Sequence, residues 1–259
     1  MKQRGVKITY LRKINSTSWV RSKNPELRLP KGPNSTSNDE DDLEEGHVPE
    51  DGYVGKAFHN FFKGHYDVKI YDPALANSST KDDINKCDLA VICVYVPNGQ
   101  EVGSDKFKYK LKWFEKLKTF LITELSPTGS VLICGDFNVA PQDEDVYDPK
   151  AWKDQILFSE PEKAALQSIR DLGFLDLYRE IRPNQEGFTW WDYRNVSFPK
   201  NHGLRIDFIL GSKTTAEHLE DSYVDRNERK GEQPSDHAPV VCVFKTELLR
   251  NQTHSQRAR

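Results

Sequence analysis

Four short apolar, β-branched runs in this chain each abut a polar motif, and that juxtaposition constrains the fold more than any other feature. Leu89–Val96 (LAVICVYV) is continuous and leads into Pro97-Asn98-Gly99. Val131–Cys134 ends in Gly135-Asp136-Phe137-Asn138. Ile206–Leu210 is entered through Gly203-Leu204-Arg205 and carries Asp207 near its start. Val240–Phe244 follows Ser235-Asp236-His237. Uninterrupted apolar runs of this length suit strands covered on both faces. Between them, residues 105–125 place Phe107, Leu111, Phe114, Leu117 and Leu121 at helical spacing with lysines interleaved. Ala164–Leu172 reads as a helix stopped by Gly173. Helices alternating with buried strands predict an α/β layered domain. Strand ends in such domains converge at one rim, where sites are built.

A chain of 259 residues is long enough for a substantial core. With 36% hydrophobic and 30% charged residues, and no apolar run near the roughly 20 residues of a membrane span, no membrane role is expected. Lys2 and Arg4 have no apolar stretch behind them, so no secretory signal is expected either. The four cysteines, Cys87, Cys93, Cys134 and Cys242, form no CxxC pair, and three lie in apolar runs. Buried, reduced thiols in an intracellular protein are the expectation. The net charge is −3, but residues 39–45 hold six acids and no base. The remaining chain is therefore mildly basic, and any nucleic-acid surface must be a local groove.

Texture divides the chain near residue 85. Residues 1–85 are rich in polar and turn-forming residues, and 30–52 should be a disordered acidic loop, since it offers little apolar surface against the entropy of ordering. Val6–Leu11 and Val68–Tyr71 are candidate strands. Residues 86–246 form the packed core, and 247–259 a flexible tail.

The motifs carry plausible chemistry and plausible bland roles. Gly135 permits a sharp turn, after which Asp136 and Asn138 project two residues apart. They suit the orientation of a water and an oxyanion, or an ordinary turn. Asp236 and His237 suit a hard cation and a phosphate oxygen, or a capped turn. Asp207, entering a buried strand, needs a partner. His237 is the natural candidate, and a nearby arginine the bland one. Phe188-Thr189-Trp190-Trp191-Asp192-Tyr193-Arg194 suits stacking on a sugar or base beside a phosphate contact, or simple core packing.

Taken in order, YVPNG, GSDKFKYKLKW, GDFNVAP, TWWDYR, GLRID and PSDHAPV make the chain similar to the exonuclease III and abasic-site endonuclease branch of the endonuclease/exonuclease/phosphatase superfamily. The resemblance runs from about Leu89 to Phe244. It implies a four-layered α/β sandwich of two packed mixed β-sheets flanked by helices. It implies a Mg²⁺- or Mn²⁺-dependent DNA-repair hydrolase that cuts 5′ to abasic sites, removes nucleotides from 3′ ends of duplex DNA, or both. Tyr95, Asp136, Asn138, Asp207 and His237 would then be catalytic, and Asn98, Trp190, Arg194 and Leu204 would contact substrate. Asp136, Asn138, Asp236 and His237 are the candidate metal ligands. The partner would be duplex DNA with abasic sites or 3′ ends, bound by a monomer. The compartment would be the cytoplasm of a bacterium, or the nucleus or an organelle of a eukaryote.

The N-terminal third departs from this pattern, through divergence or an error in the predicted reading frame. The family's opening asparagine motif and its QE pair, which supplies a metal-binding glutamate, have no clear counterpart before residue 86. Asn15 falls on one motif position and Lys13 on another, where an ammonium cannot replace an amide oxygen. Glu44, Glu45 and Glu50 are stand-in candidates without distinguishing context. A catalytically impaired homologue that binds DNA or acts as an interaction protein is the alternative reading. A phosphodiesterase for lipid or inositol phosphates is a weaker one, against which the TWWDYR and GLRID loops speak.

Overall fold

The computed structural model describes residues 6–9, 89–125 and 129–245. The remainder of the 1–85 segment, including the expected acidic loop at 30–52, the candidate strand at 68–71 and the candidate ligands Lys13, Asn15, Glu44, Glu45 and Glu50, lies outside the described residues, as do Cys87 and residues 246–259. Among those described are seven strands: β1 (Val6–Thr9), β2 (Leu89–Tyr95), β3 (Ser130–Asp136), β4 (Leu175–Asp176), β5 (Asp207–Gly211), β6 (Leu219–Val224) and β7 (Val240–Phe244). Two helices exceed two turns, α1 (Asp105–Glu124) and α2 (Glu160–Arg170).

The strands form two sheets, ordered β1-β7-β6 and β2-β3-β5-β4. The larger is mixed, with β2 parallel to β3 and β5 antiparallel to both β3 and β4. The described strands of the smaller sheet are all antiparallel.

Side-chain alternation along a strand creates the layers. From β3, Val131 and Ile133 join Phe114, Leu117 and Leu121 of α1 and Leu166 and Ile169 of α2 in one core. The intervening Leu132 and Cys134 join Ile209 of β5 and Val240, Cys242 and Phe244 of β7 in a second. The first core seals helices onto the larger sheet, and the second seals one sheet onto the other. This is the sandwich that the sequence implies. None of the described helices is long and apolar enough to cross a membrane.

Two differences from expectation have local causes. The helix expected at 164–172 begins earlier, at Glu160, because Ser159 and Glu162 form a capping box in which the Glu162 carboxylate accepts from the Ser159 amide at 3.1 Å. The run 89–96 is only half-buried until Val94, since β2 is the edge of the four-stranded sheet among the described residues. Cys93 is accordingly exposed, while Cys134 and Cys242 are buried and all three are free. Gly135 is required where β3 passes β2: its φ is +152°, and a Cβ there would lie 1.9 Å from the Val94 carbonyl oxygen.

Candidate active site

Register alone assembles the first part of the site. Tyr95, the last residue of β2, pairs with Asp136, the last of β3, and Asp136 pairs with Asp207, the first of β5. Paired residues point to the same face of a sheet. By alternation that face is the one carrying Leu132, Cys134 and Ile209, which looks toward the second sheet. Asp136 and Asp207 thus occupy the end of the seam between the sheets, and both are buried.

His237 reaches the same place from the lead into β7. Its Nδ1 lies 2.7 Å from Asp207 Oδ2. Ser235 Oγ accepts from the His237 amide at 2.8 Å and shapes the turn that delivers the ring. The arginine alternative for Asp207 does not hold. Arg205 turns instead to Asp145 (Nε to Oδ1, 2.6 Å) and Asp176 (NH1 to Oδ2, 2.8 Å). Burial works against the Arg205 charge, but the two carboxylates outweigh it and hold the guanidinium more firmly ionised than a free arginine.

The Asp136–Asn138 pair is both a turn and a candidate site. Asp136 Oδ1 accepts from the Asn138 amide at 2.9 Å, and Oδ2 from Asn138 Nδ2 at 3.2 Å. Asn138 adopts φ +50°, and its Nδ2 also donates to the Val96 carbonyl at 2.8 Å. Asn98 Nδ2 approaches Asn138 Oδ1 at 3.4 Å. The two asparagines, from loops after neighbouring parallel strands, therefore meet.

The aromatic segment closes the other flank. Trp190 forms isolated bridges to both Leu204 and His237. Its indole donates to Asp236 Oδ2 at 2.9 Å. Trp190 is half-buried, whereas Trp191 is fully buried and packs edge-on against Phe198. Leu204 exposes nothing: it sits in a core with Val146, Leu157 and Ile206 and supports Trp190 from beneath, so it offers no surface of its own to a substrate. Arg194 stands at the exposed surface, ion-paired with Asp192 at 3.1 Å.

Among the described residues, ligand atoms of Asp136, Asp207 and His237 lie within 4.8 Å of one another. Asp207 Oδ1 is buried without a hydrogen-bond partner. Two carboxylates, one of them with an orphaned oxygen, and an imidazole fit a hard divalent cation of the Mg²⁺ or Mn²⁺ kind. This group differs from the expected ligand set. Asp207 joins the expected Asp136 and His237 in it; Asp236 Oδ2 accepts from Trp190, and Asn138 turns its Nδ2 to Asp136.

Several supporting residues were not singled out in the sequence. Thr189 Oγ1 accepts from the amides of Ile206 and Asp207, at 3.0 and 3.1 Å, and sets the entry into β5. Lys110 and Glu162 form a completely buried ion pair beneath the two asparagines. The only hint was a lysine on the otherwise apolar face of α1.

The arrangement defines a two-sheet α/β protein with a carboxylate–imidazole centre at the strand ends. The chain belongs to the Endonuclease/Exonuclease/phosphatase family, whose pattern matches residues 24–237. The match begins well upstream of YVPNG, so it extends into the segment that the motifs leave unassigned. The chain is 33% identical to an exodeoxyribonuclease III of Haemophilus influenzae, over 73% of its own length and 80% of the relative's. It is 35% identical to an exodeoxyribonuclease of Bacillus subtilis, covering 61% of this chain but only 60% of that relative. An AP endonuclease from Archaeoglobus fulgidus superposes with a TM-score of 0.59 at 39% identity, over 60% of this chain and 61% of that one.

Proposed function

We propose that the chain is a metal-dependent phosphodiesterase of DNA repair, which cleaves duplex DNA 5′ to abasic sites and removes nucleotides from 3′ ends. One observation carries this reading. Asp136, Asp207 and His237 converge at the end of the inter-sheet seam, in a chain similar to exodeoxyribonuclease III and AP endonuclease.

Phosphodiester hydrolysis needs a deprotonated water, an in-line phosphate and stabilisation of the charge that builds on phosphorus-bound oxygens. Asp136 takes the proton from water, its carboxylate oriented by Asn138. Asn138 and Asn98 offer amide groups to the water and to a phosphate oxygen. His237 meets another phosphate oxygen, with Asp207 holding its Nδ1 proton and favouring the imidazolium. Tyr95, 54% exposed and in register with Asp136, offers its hydroxyl to the same phosphate. Trp190 provides a wall against which a sugar lacking its base packs, and Arg194 meets a flanking phosphate. The carboxylates of Asp136 and Asp207 would hold the divalent ion, which leaves His237 to the phosphate, with Asp236 nearby through Trp190. When bound, the ion neutralises phosphate charge and lowers the pKa of water. The protein acts as a monomer inside the cell.

The test is incubation of the full chain with a duplex bearing one tetrahydrofuran abasic analogue, and with a 3′-recessed duplex, in millimolar Mg²⁺ or in EDTA. A single nick 5′ to the analogue, abolished by EDTA, is expected. Absence of cleavage with both Mg²⁺ and Mn²⁺ overturns the proposal. Retained duplex binding in that case supports the impaired-homologue reading, for which the missing QE pair is the motive.

A further inference from the structure

We infer that the buried Lys110–Glu162 ion pair is a positioning device that sets the side chains of Asn98 and Asn138 at the candidate active site. The inference rests on the phosphodiesterase reading and extends it to two residues outside the site.

Lys110 lies on the inner side of α1 with no exposed side chain, and Glu162, from the first turn of α2, has none either. The ammonium has three protons and meets three acceptors. It donates to the Asn98 carbonyl at 3.0 Å, to the Asn138 carbonyl at 2.7 Å, and to Glu162 Oε1. Its hydrogen-bonding capacity is therefore fully used. Two of the acceptors belong to the two asparagines whose side chains meet at 3.4 Å. One cation thus holds, from behind, the backbones of both loops that present amides to the front.

Glu162 anchors the cation in turn. Its Oε1 also accepts from the Leu157 amide at 3.1 Å, and its Oε2 from the Ser159 amide at 3.1 Å and the Ser159 hydroxyl at 2.6 Å. The loop after β2 is folded onto the lysine stem: Gly99 has φ +91°, and a Cβ there would stand 3.0 Å from Lys110 Cδ. Asn138 is held at φ +50°, outside the usual range for a residue with a side chain.

Stability alone does not call for this arrangement. Burial opposes the charge on Lys110, and Glu162 and Asp136 only partly offset it. A buried ion pair can generally be replaced by apolar residues of similar volume with little loss of stability. An apolar pair, however, cannot grip two carbonyl oxygens. What the ion pair adds is a fixed distance between two loops.

The experiment compares the parent with Lys110→Met, which strands Glu162, and with the uncharged double variant Lys110→Met/Glu162→Gln. Single-turnover cleavage of the abasic duplex, affinity for uncleaved duplex and cooperative unfolding in urea are measured together. The double variant should unfold cooperatively and bind duplex within threefold of the parent, yet cleave about 10- to 100-fold more slowly, since small misplacements of reacting groups act on rate. In an Asn98→Ala/Asn138→Ala background the same replacement should cost little more, because the side chains that it positions are gone. A double variant that cleaves within threefold of the parent overturns the inference. So do losses that multiply in the Asn98→Ala/Asn138→Ala background, or failure of both variants to fold, which would make the pair a brace of the whole domain. A parent that does not cleave overturns the phosphodiesterase reading and this inference with it; a parent that cleaves alongside an equally fast variant overturns this inference alone.

Discussion

The indole of Trp190 donates to the carboxylate of Asp236 at 2.9 Å, so the wall of the candidate sugar pocket and a candidate metal-binding acid are one hydrogen-bonded unit. Trp190→Phe keeps the aromatic surface and removes the donor. A hydrogen bond to a charged group contributes about 1.5–3 kcal/mol when well buried. Both residues here are half-buried, so a loss of about 1 kcal/mol is expected, read as a lower urea midpoint at constant m-value. An unchanged midpoint would show that water replaces the indole without penalty.

Asp136→Asn should leave duplex affinity within a few-fold of the parent, because phosphate contacts elsewhere supply most of it. Cleavage should fall by about 10²–10⁴-fold, the usual consequence of losing a positioned base. The amide retains one oxygen for the Asn138 amide, so the turn survives. Single-turnover rates within threefold of the parent would remove Asp136 from the role of base.

The candidate site residues were legible because they stand where apolar runs stop and because their motifs, taken in order, match one family; singly, each also suited an ordinary turn. The Asp207–His237 contact was anticipated on the same ground, from the need of a buried carboxylate for a partner. What was not legible depends on register between distant segments. Thr189 reads as one more polar residue in an aromatic loop until β5 brings the Ile206 and Asp207 amides to its hydroxyl. Lys110 reads as one lysine among several on α1 until α2 supplies Glu162. Leu204 was expected at the pocket surface, but the bridges to Val146 and Trp190 cover it completely.

Gly135→Ala should be severely destabilising. The new methyl would sit 1.9 Å from the Val94 carbonyl oxygen, which is backbone and cannot rotate aside. Strain of this kind places the variant in the exceptional class above about 4 kcal/mol. Thermal unfolding checks it, and a melting temperature close to the parent's would mean that β2 and β3 separate locally at little cost.

Alkylation should spare two thiols. Burial pushes Cys242 up to about 12. Cys134 is also raised well above the ordinary thiol range, by its contact with Cys93 and by burial. Thiolate is the reactive form, so iodoacetamide at pH 8 should leave both unmodified in the native protein and label them after unfolding, as peptide mass spectrometry would show. Rapid native labelling of Cys242 would contradict the sealed inter-sheet layer.

The row Tyr95–Asp136–Asp207 has a consequence for how the chain becomes competent as it is made. β2 and β3 are consecutive in sequence, and their parallel pairing can form early around α1. Asp207 arrives only when β5 inserts beside β3, and His237 only when the strand leading from the other sheet docks across the seam. Contacts of such sequence separation form late, after the loop-closure entropy has been overcome. A half-made or misfolded chain therefore carries Asp136 without its partners. On the proposed reading, hydrolysis of DNA therefore awaits the last strand.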